Sequence, residues 1–244
     1  MKTLIVGSLC LAVIGLNSGC VTGRRQLDLN APSVAPNPVG DSKGALSIGT
    51  IEDDRQFENK PGSPSTPSID GDVTKLSAAA KSTFIGRQRN TFGHGMGDIV
   101  LQNGQTVQSK VSDLISEGLR QRGYSILVDA AAQNSVSVDI DQFWTWMTPG
   151  FVALSFEAQV SCRVTIILNG KQVMFHVRGY GLNHGQFAKN VNWQEAYDIA
   201  FKDFLNDFDL RLNRLLKKAC FDNMYPYKCY ICEENPPPRS VLSA

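Results

Sequence analysis

From Ser135 onward the apolar positions recur every second residue. Val136, Val138 and Ile140 alternate with Ser135, Ser137, Asp139 and Asp141. Val152, Leu154, Phe156, Ala158, Val160, Cys162, Val164, Ile166 and Leu168 alternate with Ser155, Glu157, Gln159, Ser161, Arg163 and Thr165. A period of two belongs to a strand with one buried face. Strands are therefore predicted over 135–147 and 151–168. Asn169-Gly170 then supplies a two-residue hairpin turn, because both residues tolerate positive φ. A return strand over 171–182 turns Val173, Phe175 and Val177 inward. Shorter strands are predicted over 45–51, 84–86, 98–101 and 124–128.

Two segments change period. Val107, Val111, Leu114, Ile115 and Leu119 form one helical stripe over about 105–122, stopped by Gly123. Trp193, Ala196, Tyr197, Ala200, Phe201, Phe204, Leu205, Phe208, Leu212 and Leu215 mark a second helix. Asn192 is its predicted N-cap with Glu195 at N3, and it ends near Ala219. Residues 52–75 contain Pro61, Pro64 and Pro67 and read as a long exposed loop. Two amphipathic helices can cover the apolar face of one antiparallel sheet. The expected fold class is α+β: a two-layer sandwich of about four to five antiparallel strands, with two helices on one face. The other sheet face reads as polar and exposed.

Composition narrows the function classes. With 244 residues and 42% apolar content, the chain can bury a core. Its formal charge of +1, from 24 cations and 23 acids, argues against gripping nucleic acid.

The first residues carry compartment information. Met1-Lys2-Thr3 is a short positive start, and Leu4–Leu16 is an apolar run too short to span a bilayer comfortably but suited to a secretory h-region. Ser18-Gly19-Cys20 resembles the lipobox of bacterial lipoproteins, with Asn17 departing from the usual aliphatic residue. An ordinary signal peptide cut elsewhere is the alternative. The resemblance implies that Cys20 becomes the first mature residue and carries an S-diacylglycerol (a palmitate-labelled anchor) and an N-acyl chain. Val21, where the family's inner-membrane signal would be acidic, implies an outer-membrane destination facing the periplasm. The expected organisation is a leader at 1–19, a flexible tether at 20–44 with Pro32, Pro36 and Pro38, a domain at 45–219 and a tail at 220–244. Loss of the leader removes Lys2 and no acid, which leaves the mature chain formally neutral.

Three segments resemble the YajG-like family of bacterial outer-membrane lipoproteins. They are Val111-Ser112-Asp113-Leu114-Ile115 through Leu119-Arg120-Gln121-Arg122-Gly123-Tyr124, the hairpin at Leu168-Asn169-Gly170-Lys171, and the helix of Asn192, Ala196, Ala200 and Phe204-Leu205. The resemblance spans roughly 45–216 and implies no assigned biochemical activity. By fold analogy it also implies small periplasmic lipoproteins that serve envelope transport machines.

Candidate chemistry is sparse. Gly93-His94-Gly95-Met96-Gly97 lacks the Lys-Ser/Thr and the helix start of a phosphate loop, and reads as a tight turn. Arg87 and Arg89 upstream make a small basic rim. His94, His176 and His184 lack metal-site spacing, and Asp139 with Asp141 reads as a solvated pair. No cofactor, metal or catalytic residue is expected. Cys162 reads as a buried thiol. Cys220, Cys229 and Cys232 read as one periplasmic disulfide, Cys220 with Cys229 or Cys232; redox chemistry and half a zinc knuckle are the alternatives. Trp144, Trp146 and Phe151, beside the turn Thr148-Pro149-Gly150, read as core packing or as an exposed interaction patch. The expected function is non-enzymatic binding or scaffolding in the envelope through the sheet edge or this aromatic tip. Its partners would be the membrane, through the lipid, and an envelope protein. The alternative is an auxiliary transport subunit that holds a lipid or amphiphile in a cavity lined by Phe201, Phe204 and Val160.

Overall fold

The computed structural model describes residues 23–33, 43–90, 92–102, 104–127 and 134–221, with side chains as far as 217. Cys20, Cys229 and Cys232 lie outside the described residues, and Cys220 has only its backbone described.

Three long strands dominate: β6 (Ser135–Pro149), β7 (Leu154–Leu168) and β8 (Lys171–Gly185). They pair antiparallel along their whole length, from Pro149↔Leu154 to Ser135↔Ile167, and from Leu168↔Lys171 to Leu154↔Gly185. The predicted turn is made as expected, with Asn169 at φ 51° and Gly170 at φ 76°. In β6 the buried phase switches. Val136, Val138 and Ile140 face one way, a bulge intervenes between Ile140 and Gln142, and Phe143 continues the same buried face.

The sheet is larger than expected, and it is mixed. Five further strands join it: β1 (Arg25–Leu27), β2 (Ala45–Asp53), β3 (Phe84–Arg89), β4 (Gly95–Leu101) and β5 (Ser125–Leu127). The expectation of a four- to five-stranded antiparallel sandwich is corrected to a mixed sheet of eight strands among the described residues, still α+β in broad class. The antiparallel reading rested on the hairpins. β2 runs parallel to β6 and β5, β3 parallel to β6, and β1 parallel to β4. Such pairs join strands far apart in sequence, and a hairpin pattern carries no signal for them.

One edge of β6 is shared between two partners. Its first half pairs with β2, up to Asp53↔Ile140, and its second half meets β3 at Gly86↔Thr145. Arg55 fills the notch between them. Its Nε donates to Asp53 Oδ1 at 2.7 Å, and its two terminal nitrogens donate to Asp53 Oδ2 at 2.8 Å and to the carbonyls of Phe84 at 2.7 Å, Phe143 at 2.9 Å and Lys81 at 3.0 Å. All five guanidinium protons are thus used. Its side chain is wholly buried, and the ring of Phe57 lies 5.1 Å from its centre.

Both longer helices lie on one face, as the sequence predicts. α1 (Ala78–Lys81) is a single turn capped by Ser77. α2 (Val107–Gln121) opens with a capping box between Thr106 and Ser109. α3 (Asn190–Phe221) begins two residues before the predicted cap. Gly118 of α2 lies against the Phe208 ring of α3. α3 also closes the free edge of β8. Asp207 accepts from the Arg178 N–H at 3.0 Å and Asp203 from that of Tyr180 at 2.9 Å. A Cβ at Gly179 or Gly181 would collide with the Ala200 or Ala196 carbonyl, so glycine permits this approach. The sheet edge expected as a contact surface is covered here.

Residues 54–76 do not form a simple exposed loop. They cover the opposite sheet face, where Trp144, Trp146, Phe84 and Val100 pack with Ile69 and Val73. Trp144 donates to the Pro64 carbonyl at 3.2 Å. The expected tether is also corrected in part. Leu27 and Leu29 are buried in the main core, and Arg25 donates to Asn190 at 2.9 Å, tying β1 to the start of α3.

Arg55→Met strands a buried carboxylate and three carbonyls, a change that costs about 3–5 kcal/mol. Denaturant unfolding is expected to show that loss, whereas Arg211→Met at the exposed Asp207 pair costs within about 1 kcal/mol. Cys162 is a free, fully buried thiol that burial and the nearby Asp141 and Asp139 push far above its usual range. In a chain carrying Cys220→Ser, Cys229→Ser and Cys232→Ser, with Cys20 also replaced, Cys162 is expected to resist iodoacetamide until the fold is melted. Rapid alkylation of the native chain would contradict this placement.

Candidate functional site

The strand directions gather several loops at one end of the sheet. β3 and β6 run towards it, and β4 and β7 return from it. The turns after Arg89 and after Pro149, and the β8–α3 connection, therefore share that end. β1, parallel to β4, starts there, and the Gly23 N–H donates to the Met96 carbonyl at 3.1 Å.

A cleft of about 430 Å³ opens beside the β3–β4 hairpin, between Arg87, Arg89, Lys60, Asp70 and the Phe92–Gly95 turn. Arg87 and Arg89 stand two residues apart on β3 and so share a face. Arg89 donates to the Ser68 hydroxyl at 2.8 Å and the Gly93 carbonyl at 3.2 Å. Arg87 donates to Asp70 at 3.1 Å, and its Nε is 4.0 Å from Asp98. The Nε of each arginine is buried and has no hydrogen-bond acceptor among the described residues. Burial and the neighbouring Arg87 lower the Arg89 pKa, so the charged form is held at a cost. Behind them burial pushes the Asp98 carboxyl up, opposed by the Asp70 N–H and Arg87. The Arg87 guanidinium occupies the space where a Cβ at Gly95 would stand, so a larger residue there would displace it. An anion placed between the two guanidinium groups would take up free donors and relieve like-charge repulsion.

Large apolar side chains project around the cleft. Phe92 is 83% exposed, Val152 81% and Phe187 68%, and Phe151 is fully exposed. All four sit at or beside the turns that share this end.

The predicted site residues fall apart in space. Trp144 and Trp146 are buried, which leaves Phe151 alone of the expected aromatic patch at the surface. His94 is in the β3–β4 hairpin, His176 stands 3.7 Å from Asp141 on the outward sheet face, and His184 contacts Ser155 at 3.2 Å. Asp139 pairs with Arg163 at 3.0 Å. No cluster of metal-ligating side chains occurs among the described residues. Phe201, Phe204 and Val160 are fully buried, with the Phe201 ring tilted against that of Phe143 at 5.9 Å and Phe204 against Gly179, so the interface expected to hold an amphiphile is packed with side chains. A second cleft of about 470 Å³, lined by Asp53, Asp54, Lys81 and Gln108, lies beside Arg55, whose donors are all committed. The sequence reading named Arg87 and Arg89 but missed Lys60, Phe92, Val152 and Phe187. A large apolar residue inside a polar turn was the available signal.

No helix among the described residues is long and apolar enough to cross a membrane. No curated protein matches the chain in sequence. Among solved structures, protein XCC0632 of Xanthomonas campestris, from the DUF330 family, shares 9% identity at a TM-score of 0.45, covering 83% of this chain and 99% of its own. A second, uncharacterized protein shares 7% identity at a TM-score of 0.36, covering 81% and 98%. The hypothetical protein CT253 of Chlamydia trachomatis shares 11% at 0.34, covering 70% and 95%. Likenesses of this size carry no functional argument. The sequence profile of a family described as uncharacterized lipoprotein matches residues 81–222, more than half of the chain. The chain belongs to this family of uncharacterized lipoproteins.

Proposed function

We propose that the chain is a lipid-anchored lipoprotein of the outer membrane, facing the periplasm, and that it works by binding rather than by catalysis. The cleft between Arg87 and Arg89 receives an anionic group. The observation that carries this reading is the pair of buried Nε donors left without acceptors on adjacent cations, an arrangement that an anion completes. Membership of a lipoprotein family and the lipobox-like Ser18-Gly19-Cys20 support the anchor. Val21 supports the outer-membrane destination, and the helix–turn and hairpin segments named above support a YajG-like relationship within the lipoproteins. The partner consistent with this reading is an envelope component that bears phosphate or carboxylate.

Labelled palmitate is expected to enter the wild-type chain and not Cys20→Ala. Label that persists in Cys20→Ala, or a wild-type chain that takes up none, would refute the anchor. For the cleft, inorganic phosphate at about ten times its Kd is expected to stabilise the wild type by about 1.4 kcal/mol. Thermal melts should show that gain disappearing in Arg87→Gln/Arg89→Gln, and an equal gain in both proteins would remove the cleft from the reading.

A further inference from the structure

We infer that the end of the sheet bearing Phe92, Phe151 and Phe187 docks face-on against a phospholipid bilayer, with the Arg87–Arg89 cleft on headgroup phosphates. The inference deepens the proposed function, and its first argument rests on the Cys20 anchor. Gly23 is fixed at this end by its bond to Met96, and Cys20 precedes it by three residues. Three residues reach at most about 11 Å. β6 reaches this end only at its last residue, Pro149, and its 15 residues extend back from it over a span of about 50 Å. An anchor on so short a leash brings this end to the bilayer, and keeps the Asn169-Gly170 hairpin far from it.

The second argument is independent of the anchor. Aromatic rings on turn tips lose nothing by staying out of a protein core if they settle at the headgroup level, where an apolar body and nearby polar backbone are both satisfied. Phe92, Phe151 with Val152, and Phe187 are spread over the strand ends from β3 to β8. Three strand spacings of about 4.8 Å make that row about 14 Å wide. A row this wide suits a flat surface better than a pocket. Charge agrees with it. Lys60, Arg87, Arg89 and the exposed Lys189 stand among the tips, and the two carboxylates beside the arginines, Asp70 and the buried Asp98, both face Arg87. Anionic lipid headgroups would complement these cations and fill the unpartnered Nε donors.

The test uses the full mature chain with Cys20→Ser and the tail cysteines replaced by serine, so that no lipid is attached. An environment-sensitive fluorophore is placed by Phe92→Cys, Phe151→Cys or Phe187→Cys, and by Gln172→Cys at the far end as control. Vesicles of phosphatidylethanolamine and phosphatidylglycerol are added. Docking predicts a blue shift at the three tips and none at 172. It also predicts at least about a tenfold loss of the vesicle-bound fraction for Phe92→Ser/Phe151→Ser/Phe187→Ser, with the thermal melt unchanged. Arg87→Gln/Arg89→Gln is expected to weaken binding most to the phosphatidylglycerol-rich vesicles. Tips that remain aqueous, a response at 172 equal to theirs, or tips shielded without vesicles (a protein contact instead) would each overturn the inference. Responsive tips in a protein whose Cys20 takes no palmitate would leave docking standing and remove the anchor. Palmitate on Cys20 with unresponsive tips would do the reverse.

Discussion

β6 must serve two partners along a single edge, and the buried guanidinium of Arg55 is what makes that division tolerable. β2 leaves the edge after Asp53 and β3 takes it up near Thr145, so the backbone carbonyls in between would face a gap. A buried carbonyl without a donor costs free energy comparable to a lost hydrogen bond. Arg55 supplies donors to three carbonyls from three elements, and Asp53 neutralises it through a two-pronged contact. The bulge after Ile140 lies at the same level, and it lets β6 keep one buried face through the change of partner. The upper strands β1, β3 and β4, and with them the cleft and its hairpin, are attached to the long hairpins through this junction.

α3 acts on the other side of the sheet in a comparable way. A long edge strand such as β8 would otherwise present a row of unpaired N–H groups. The helix backbone seats against Gly179 and Gly181, and Asp203 and Asp207 take up the edge donors. With β8 closed, the end of the sheet is where the exposed aromatic tips gather. There the hairpins turn and Arg25, Gln26 and Asn190 bind the first strand to the last helix. Rigid strands therefore carry both arginines and hold the exposed tips in fixed positions.

Legibility in the sequence followed the range of the interactions. The long hairpins, α2 and α3 were readable because a period of two or of 3.6 records a local choice of face. The shift from Ile140 to Phe143 was also on the page, as a break in alternation, and it marks the bulge. The parallel pairings were not readable, since three-residue strands such as β1 and β5 leave almost no periodic signal and owe their existence to distant partners. Trp144 and Trp146 read as core packing or as a surface patch, and unbroken alternation would keep them on the face of Val136, Val138 and Ile140, but the bulge after Ile140 turns them to the opposite face. A proline-containing segment that no pattern connects to them then covers that face. The polar stretch before Ala45 looked like a tether because Leu27 and Leu29 are only two apolar residues in a run without period.

Arginine chemistry explains why the candidate site was only half visible. Arg55, Arg87 and Arg89 are the same residue type within one domain, and the composition treats them alike. Arg55 has every donor engaged and a carboxylate in bidentate contact, which is the signature of a group spent on the fold. Arg87 and Arg89 are also drawn out of water, yet each keeps an Nε with no acceptor and each bears the other's repulsion. A half-buried cation whose donors are not all taken up is held at a cost that an acceptor from outside would offset. The position of the two arginines beside exposed aromatic tips fits a surface completed by an external anion. The overall neutrality of the chain does not count against it, because recognition depends on the local field and not on the sum of charges.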